Sequence, residues 1–311
     1  MDKNSLALFC DAHFHLLPSE EALQGLPFLL GRAVTAAHSP QEFLAQEARV
    51  KELNASVISA SGNDSPRERT SELFPCHNAA KRQNDNSSAR LSPCAQTSSP
   101  RLLQSFGLHP QAPFLDERDF VLRLEFLEGL LRERRVQAVG ECGLDFFTPE
   151  FSAKRAAQEK AFAAQLEAAA RHKVPVIVHA RKAMQEIFAS AAALKKVPAV
   201  VFHSFAGTLM DARSLLSKGI NAYFSFGKPI VNGAKKAINC VRVLPIERLL
   251  FETDAPYQTL KGEKATSPAE IADVYQAAFE LRSAGIPYEA RPSFMEFSSE
   301  VEKNFRAVFG A

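Results

Sequence analysis

Apolar and polar positions along the chain follow two rhythms. Short runs rich in Val, Ile, Phe and Leu recur at 6–13 (LALFCDAH), 55–61 (ASVISAS), 102–109 (LLQSFGLH), 136–142 (VQAVGEC), 174–180 (VPVIVHA), 198–204 (PAVVFHS), 221–227 (NAYFSFG) and 248–254 (RLLFETD). Each is bounded by turn or polar residues and is short, which predicts a buried strand. Between these runs the apolar positions return at helical spacing. SPQEFLAQEARVKEL opens on Ser39-Pro40, a helix start signal, and ERDFVLRLEFLEGLLRERR places Phe120, Leu124, Leu127 and Leu131 on one face. The Ala-rich PEFSAKRAAQEKAFAAQLEAAARHK, then KAMQEIFASAAALKK, and TLMDARSLLSKG with Gly219 as its stop predict three more helices. SPAEIADVYQAAFELRSAG and a segment near 297–308 predict the last two.

Eight buried strands alternating with helices predict parallel βαβ units and an α/β fold closed as a (β/α)8 barrel, a single domain over 1–311. An open doubly wound sheet usually carries a Gly-rich turn after its first strand, and DAHFHLLPS has none. Residues 62–101 break the rhythm. One short helix is expected around 67–82, and 83–100, rich in Ser, Asn, Pro and Gln, reads as a disordered surface loop within the barrel.

Composition narrows the classes. A hydrophobic fraction of 46% supports a sizeable core, and a formal charge of +2 argues against a large electrostatic footprint for gripping long duplexes, although a local basic groove remains open. No run of eighteen apolar residues predicts a membrane span, and the apolar patch in MDKNSLALFCDAH is too short for a signal peptide. Five cysteines, odd in number and without C-x-x-C spacing, read as reduced thiols of a cytoplasmic protein. A monomer is expected.

The residues that chemistry needs gather at strand ends: His13 and His15, His109, Glu141, His179, His203 and Asp254. In a barrel all those ends lie on one rim, where active sites are built. Alternate side chains of an extended strand share a face, so His13 and His15 can point together into the mouth with Phe14 turned away. Imidazole with carboxylate suits Zn²⁺, Mn²⁺, Fe²⁺ or Co²⁺. The set exceeds one tetrahedral site and suits two divalent ions sharing a carboxylate, which favour an anionic oxygen such as phosphate and activate a hydroxide.

In chain order, DAHFH, GLHP, GECGLDFF, PVIVHARKA, VFHSFAG and FETDAPY resemble the TatD family of metal-dependent deoxyribonucleases in the amidohydrolase superfamily, from residue 6 to about 260, with KNFRAVFG similar to the family's usual ending. The resemblance implies a two-metal barrel that cleaves phosphodiesters, commonly from the 3′ end of DNA. It implies His13 and His15 as the first metal's pair, Glu141 as the bridge, and His179 and His203 on the second metal. Asp254 would bind the first metal and accept a proton from the attacking water, and His109 would lie near the substrate phosphate. Glu141 stands where many superfamily relatives carry a modified lysine, which favours the TatD branch. The tract 62–101 is longer than usual for the family, and YQTLKGEKATSP lacks its Arg-Gly-Lys-rich wording; Lys261 and Lys264 can stand in for those charges.

Around this set, Arg181, Glu252 and Tyr257 are candidate substrate contacts, and Lys182 is a further candidate for phosphate. Asp11 and Asp145 can each orient a ligand or serve a structural end, while Cys142 and Phe205 read as core. His38, His77 and His172 lack such context and read as surface residues. The expected cofactors are two divalent ions (Zn, Mn or Mg), and the expected partner is DNA or another phosphodiester. The alternatives are a metal-dependent hydrolase of an amide, lactone or small phosphoester, and a non-catalytic nucleic-acid-binding protein with a vestigial metal site.

Overall fold

The computed structural model describes residues 9–16, 30–60 and 101–310. Eight strands form one sheet whose neighbours follow chain order, each successive pair parallel: β1 (Phe9–Phe14), β2 (Leu30–Ala37), β3 (Arg101–Phe106), β4 (Ala138–Asp145), β5 (Val176–Arg181), β6 (Val200–Phe202), β7 (Ala222–Phe226) and β8 (Leu249–Phe251). The helices are α1 (Pro40–Ala60), α2 (Glu117–Arg132), α3 (Pro149–Ala153), α4 (Arg155–His172), α5 (Met184–Ala189), α6 (Ala191–Leu194), α7 (Leu209–Ser217), α8 (Lys235–Val243), α9 (Ile271–Ser283) and α10 (Phe294–Phe309). This is the (β/α)8 barrel that the alternating pattern predicts.

Strand alternation builds the interior in layers. Ile177, Val201 and Leu250 pack with Cys10, Ala12 and Val34 in an inner cluster, while their neighbours Val178, Phe202 and Phe251 face the surrounding helices. Two residues further on, within β5 and just past the ends of β6 and β8, that inward face delivers His179, His203 and Glu252. Phe305, Val308 and Phe309 of α10 join the inner cluster, and Asn304 donates to the carbonyls of Ile246 and Leu249 at 2.7 and 2.9 Å, just where β8 begins. Helix α10 therefore plugs the end of the barrel opposite the histidines.

The seam between β8 and β1 closes at the histidine end. Asp254 N–H donates to the His13 carbonyl at 3.0 Å, and His15 N–H donates to the Ala255 carbonyl at 2.7 Å. Asp11, fully buried, accepts from Thr253 N–H, Thr253 Oγ1 and His13 N–H at 3.1, 2.6 and 3.2 Å. Burial pushes its carboxyl well above the ordinary value, against the pull of the Thr253 hydrogen bonds. The two roles weighed for Asp11 thus merge: its bonds are to backbone and Thr253, and they set the positions from which His13 and Asp254 project.

Three expectations need correction. The expected strand at 55–61 is overturned over its described residues, where α1 continues through Ala60, and the second strand is Leu30–Ala37, LGRAVTAA. Its residues are small and include Arg32, so it lacks the bulky apolar signature, yet a strand covered on both faces needs only to fit the available space. Helix α8 between β7 and β8 was not anticipated, and α10 starts earlier than 297, where Ser293 and Glu296 form a reciprocal cap. Gly219 does follow α7 in the left-handed conformation, with φ of 78°. The expected short helix at 67–82, the loop at 83–100, Cys76, Cys94 and His77 lie outside the described residues. Cys10, Cys142 and Cys240 are free and buried. Among the described residues no helix is long and apolar enough to cross a membrane.

Candidate metal centre

The mouth of the barrel is organised around one carboxylate. Glu141, 2% exposed, sits in β4 two residues inward of Gly143, whose backbone runs tight against β5. A Cβ on Gly143 would stand 2.1 Å from the His179 carbonyl, and φ is +136°, so only glycine allows the two strands to meet there. Oε1 of Glu141 lies 2.7 Å from His179 Nδ1, 2.7 Å from His203 Nε2 and 3.1 Å from His109 Nε2. Oε2 lies 3.2 Å from His13 Nε2, 3.6 Å from His38 Nε2 and 3.8 Å from His15 Nε2. Asp254 Oδ1 stands 3.7 Å from both His13 Nε2 and His15 Nε2. His179 Nδ1 and His203 Nε2 are 3.3 Å apart.

Electrostatics follow from that crowding. Burial alone would raise the Glu141 carboxyl, but the imidazoles of His203 and His109 hold it well below the usual carboxylate range. Burial lowers His203 less than Glu141 and Glu252 raise it, so its proton is held well above the ordinary imidazole value. His179 is likewise raised, by Asp145 and Glu141 against burial. His15 is pushed well down by burial and the neighbouring His13 and His38. Both ring nitrogens of His13 are buried without a hydrogen-bond partner. Imidazoles gathered on a buried carboxylate, with the nitrogens of His13 left without partners, are the donor set of a cation site, and the residues present therefore fit divalent metals.

Comparison with known proteins places this arrangement in a family. A family model described as TatD related DNase matches residues 10–310. The chain belongs to that family. A Cronobacter sakazakii protein named 3'-5' ssDNA/RNA exonuclease TatD is 37% identical over 152 residues, which is 49% of this chain and 56% of that protein. An Enterobacter lignolyticus protein of the same name is 31% identical over 219 residues, 68% of this chain and 78% of the relative. The crystal structure of YJJV, a TatD homolog from Escherichia coli K12, matches with a TM-score of 0.67 at 24% identity, covering 99% of this chain and 100% of that one, a likeness of fold.

Within this TatD-family chain the six ligand positions named from the motifs converge, and His109 joins them. Phe14 is turned away and fully buried in the outer core, as alternation requires. Two further carboxylates stand behind the second pair of histidines. Asp145 Oδ2 is 3.1 Å from His179 Nε2 and also accepts from Gln111 Nε2 at 2.9 Å, while Oδ1 accepts Phe147 N–H at 2.8 Å. Those bonds draw the Asp145 carboxyl down to about 2, against its burial. Glu252 Oε1 accepts Ser204 N–H at 2.7 Å and lies 3.5 Å from His203 Nδ1. Each acid faces the nitrogen that its histidine turns away from Glu141, the arrangement that fixes a metal ligand's ring and tautomer. Asp145→Ala is expected to weaken binding of one divalent ion by about 10–100-fold with the fold retained, as read by metal titration and circular dichroism.

Of the candidate substrate contacts, Tyr257 is 58% exposed with its ring 5.2 Å from that of His15. Arg181 is exposed, its guanidinium 3.6 Å from the centre of the Phe147 ring, with Lys182 on the same ring at 4.6 Å. Glu252 is fully buried behind His203, so its place is that of a support rather than a substrate contact. Cys142 and Phe205 are core, as expected. His172 pairs with Glu128 at 2.8 Å on the surface. His38, expected on the surface, instead turns its Nε2 toward Glu141 at the mouth of the barrel. With the second strand expected at 55–61, His38 has no strand before it. LGRAVTAA followed by His38 and Ser39-Pro40 has the form of the other sites, a strand, a histidine and a helix start.

Proposed function

We propose that this protein is a metal-dependent phosphodiesterase that shortens single-stranded DNA from its 3′ end. One observation carries the reading. A single buried carboxylate, Glu141, is met by imidazoles from several strands at the C-terminal mouth of the barrel. The family membership supports the bond class, and the names of the Cronobacter and Enterobacter relatives support the substrate and polarity. His13, His15 and Asp254 would hold one ion, His179 and His203 a second, with Glu141 between them. Imidazole-rich donors favour zinc or manganese over magnesium. Bound there, such ions supply Lewis acidity toward a phosphoryl oxygen and a more acidic water.

The chain's own residues do the rest. His109 Nδ1 accepts the Gln111 N–H at 3.3 Å, so in the neutral ring the proton sits on Nε2, which faces the centre. That N–H can donate to a non-bridging phosphate oxygen. Asp254 is the group placed to take the proton of the attacking water, and Gln258 Nε2 anchors its other oxygen at 3.0 Å. Burial raises the Asp254 carboxyl, which improves it as a base near neutral pH, although His203 and His13 pull the other way.

Tyr257 offers an exposed ring beside the centre for a terminal base. Tyr257→Ala is expected to raise KM for an oligonucleotide by about 5–100-fold, the worth of one base–aromatic stack, while leaving kcat nearly unchanged. The reading is tested with single-stranded oligonucleotides labelled at either end, with and without divalent ions, beside small esters and lactones. Stepwise, metal-dependent loss from the 3′ end supports it; rapid turnover of esters or lactones with intact oligonucleotides overturns it.

A further inference from the structure

We infer that His38 is a resident ligand of the metal centre, a fifth imidazole added on the side of His13 and His15. The inference rests on the metal reading above and goes beyond its six ligands. Glu141 divides its neighbours by oxygen. Oε1 meets His109, His179 and His203, and Oε2 meets His13, His15 and His38. His38 Nε2 is buried, has no hydrogen-bond partner and stands 3.6 Å from Oε2. An imidazole nitrogen left in that state is costly unless something else engages it.

His38 differs from His109, which approaches the same carboxylate. The Gln111 N–H assigns the His109 proton to Nε2, making that atom a donor. No comparable bond commits His38 Nε2, so its lone pair is available. The donor atoms of His15, His38 and Glu141 lie within 4.8 Å of one another. Two ligand atoms on a tetrahedral zinc, each about 2.0–2.1 Å from it, stand roughly 3.3 Å apart. The 3.6 and 3.8 Å separations of His38 and His15 from Oε2 need only a few tenths of an ångström of closure.

The local chain holds the ring in place. His38 follows β2 directly, its N–H donates to Glu42 Oε2 at 2.8 Å, and Ser39 Oγ accepts the Glu42 N–H at 3.1 Å. Its ring packs 5.0 Å from that of His15 and 4.8 Å from that of His109. A third imidazole on this ion shifts preference further toward zinc, cobalt and manganese and away from magnesium.

The test is a Co²⁺ titration of the full-length chain, stripped of metal with a chelator and followed by visible absorption and calorimetry. His38→Ala and His38→Gln are compared with the parent and with the surface control His172→Ala. The parent and His172→Ala are expected to bind two Co²⁺ per chain. Both His38 variants are expected to bind one of the two about 10–100-fold more weakly and to lose intensity in the visible bands. Unchanged Co²⁺ affinity and spectrum in folded His38 variants overturn the proposal. A rise in KM for oligonucleotide with unchanged Co²⁺ binding also overturns it and makes His38 a phosphate contact. A parent chain that binds no Co²⁺ sinks the metal reading itself, a separate result.

Discussion

Glu141→Ala is expected to reduce hydrolysis by about 1000-fold or more, because it removes the one group that both halves of the centre share. His13, His109, His179 and His203 all place a ring nitrogen within 3.2 Å of its oxygens. Without the carboxylate those imidazoles face one another, and the divalent ions lose their common ligand. Metal analysis after dialysis is expected to give at most one tightly held ion per chain. The substitution also costs stability in the metal-free chain. A carboxyl held below its ordinary value contributes stability that is present above the unfolded value and lost only as pH falls through the folded one. At neutral pH all of that contribution is therefore in place to be lost. Removing one member of such a buried charged set costs about 3–5 kcal/mol. Thermal melts in chelator read this part, and Glu141→Gln, which keeps the volume, separates the loss of charge from the cavity. Turnover within about tenfold of the parent would exclude Glu141 from the chemistry.

Asp254→Asn is expected to lower kcat at saturating metal by about 100–10,000-fold while leaving the fold intact. The residue has φ of 53°, the left-handed region, which Asn tolerates as well as Asp. Its N–H bond to the His13 carbonyl is a backbone bond, and the amide oxygen can still accept from Gln258. The variant loses the ability to take a proton. It also removes a ligand of the ion proposed for His13 and His15, so the assay must titrate metal until the rate no longer rises. A kcat within about tenfold of the parent under those conditions would assign the proton to another group.

Much of this centre is legible in the sequence. His13, His15, Glu141, His179, His203 and Asp254 each follow an apolar run, and a barrel forces all such ends to one rim. The period of two that turns Phe14 outward also turns its flanking histidines inward, as found. His38 was not legible by the same route. LGRAVTAA carries its burial in alanines, and a small side chain leaves a weak mark on a hydrophobic profile even when its surroundings exclude water. The run at 55–61 has the stronger mark, but its residues through Ala60 continue a helix already begun at Pro40.

The roles of the supporting acids depended on distance between strands. Asp145 and Glu252 lie one in β4 and one just past β8, and nothing in the spacing of either shows that it backs a histidine of β5 or β6. Their contacts arise from strand register and from how closely β4 approaches β5 at Gly143. The sequence by itself determined the fold class and which six candidate residues stand at strand ends, because periodicity and strand-end placement are local properties of the chain. The tertiary structure alone decided that His38 stands beside Glu141 and that Glu252 stands behind His203. Those outcomes depend on residues from different strand ends approaching within 4 Å, a condition that closure of the barrel imposes and no single segment encodes.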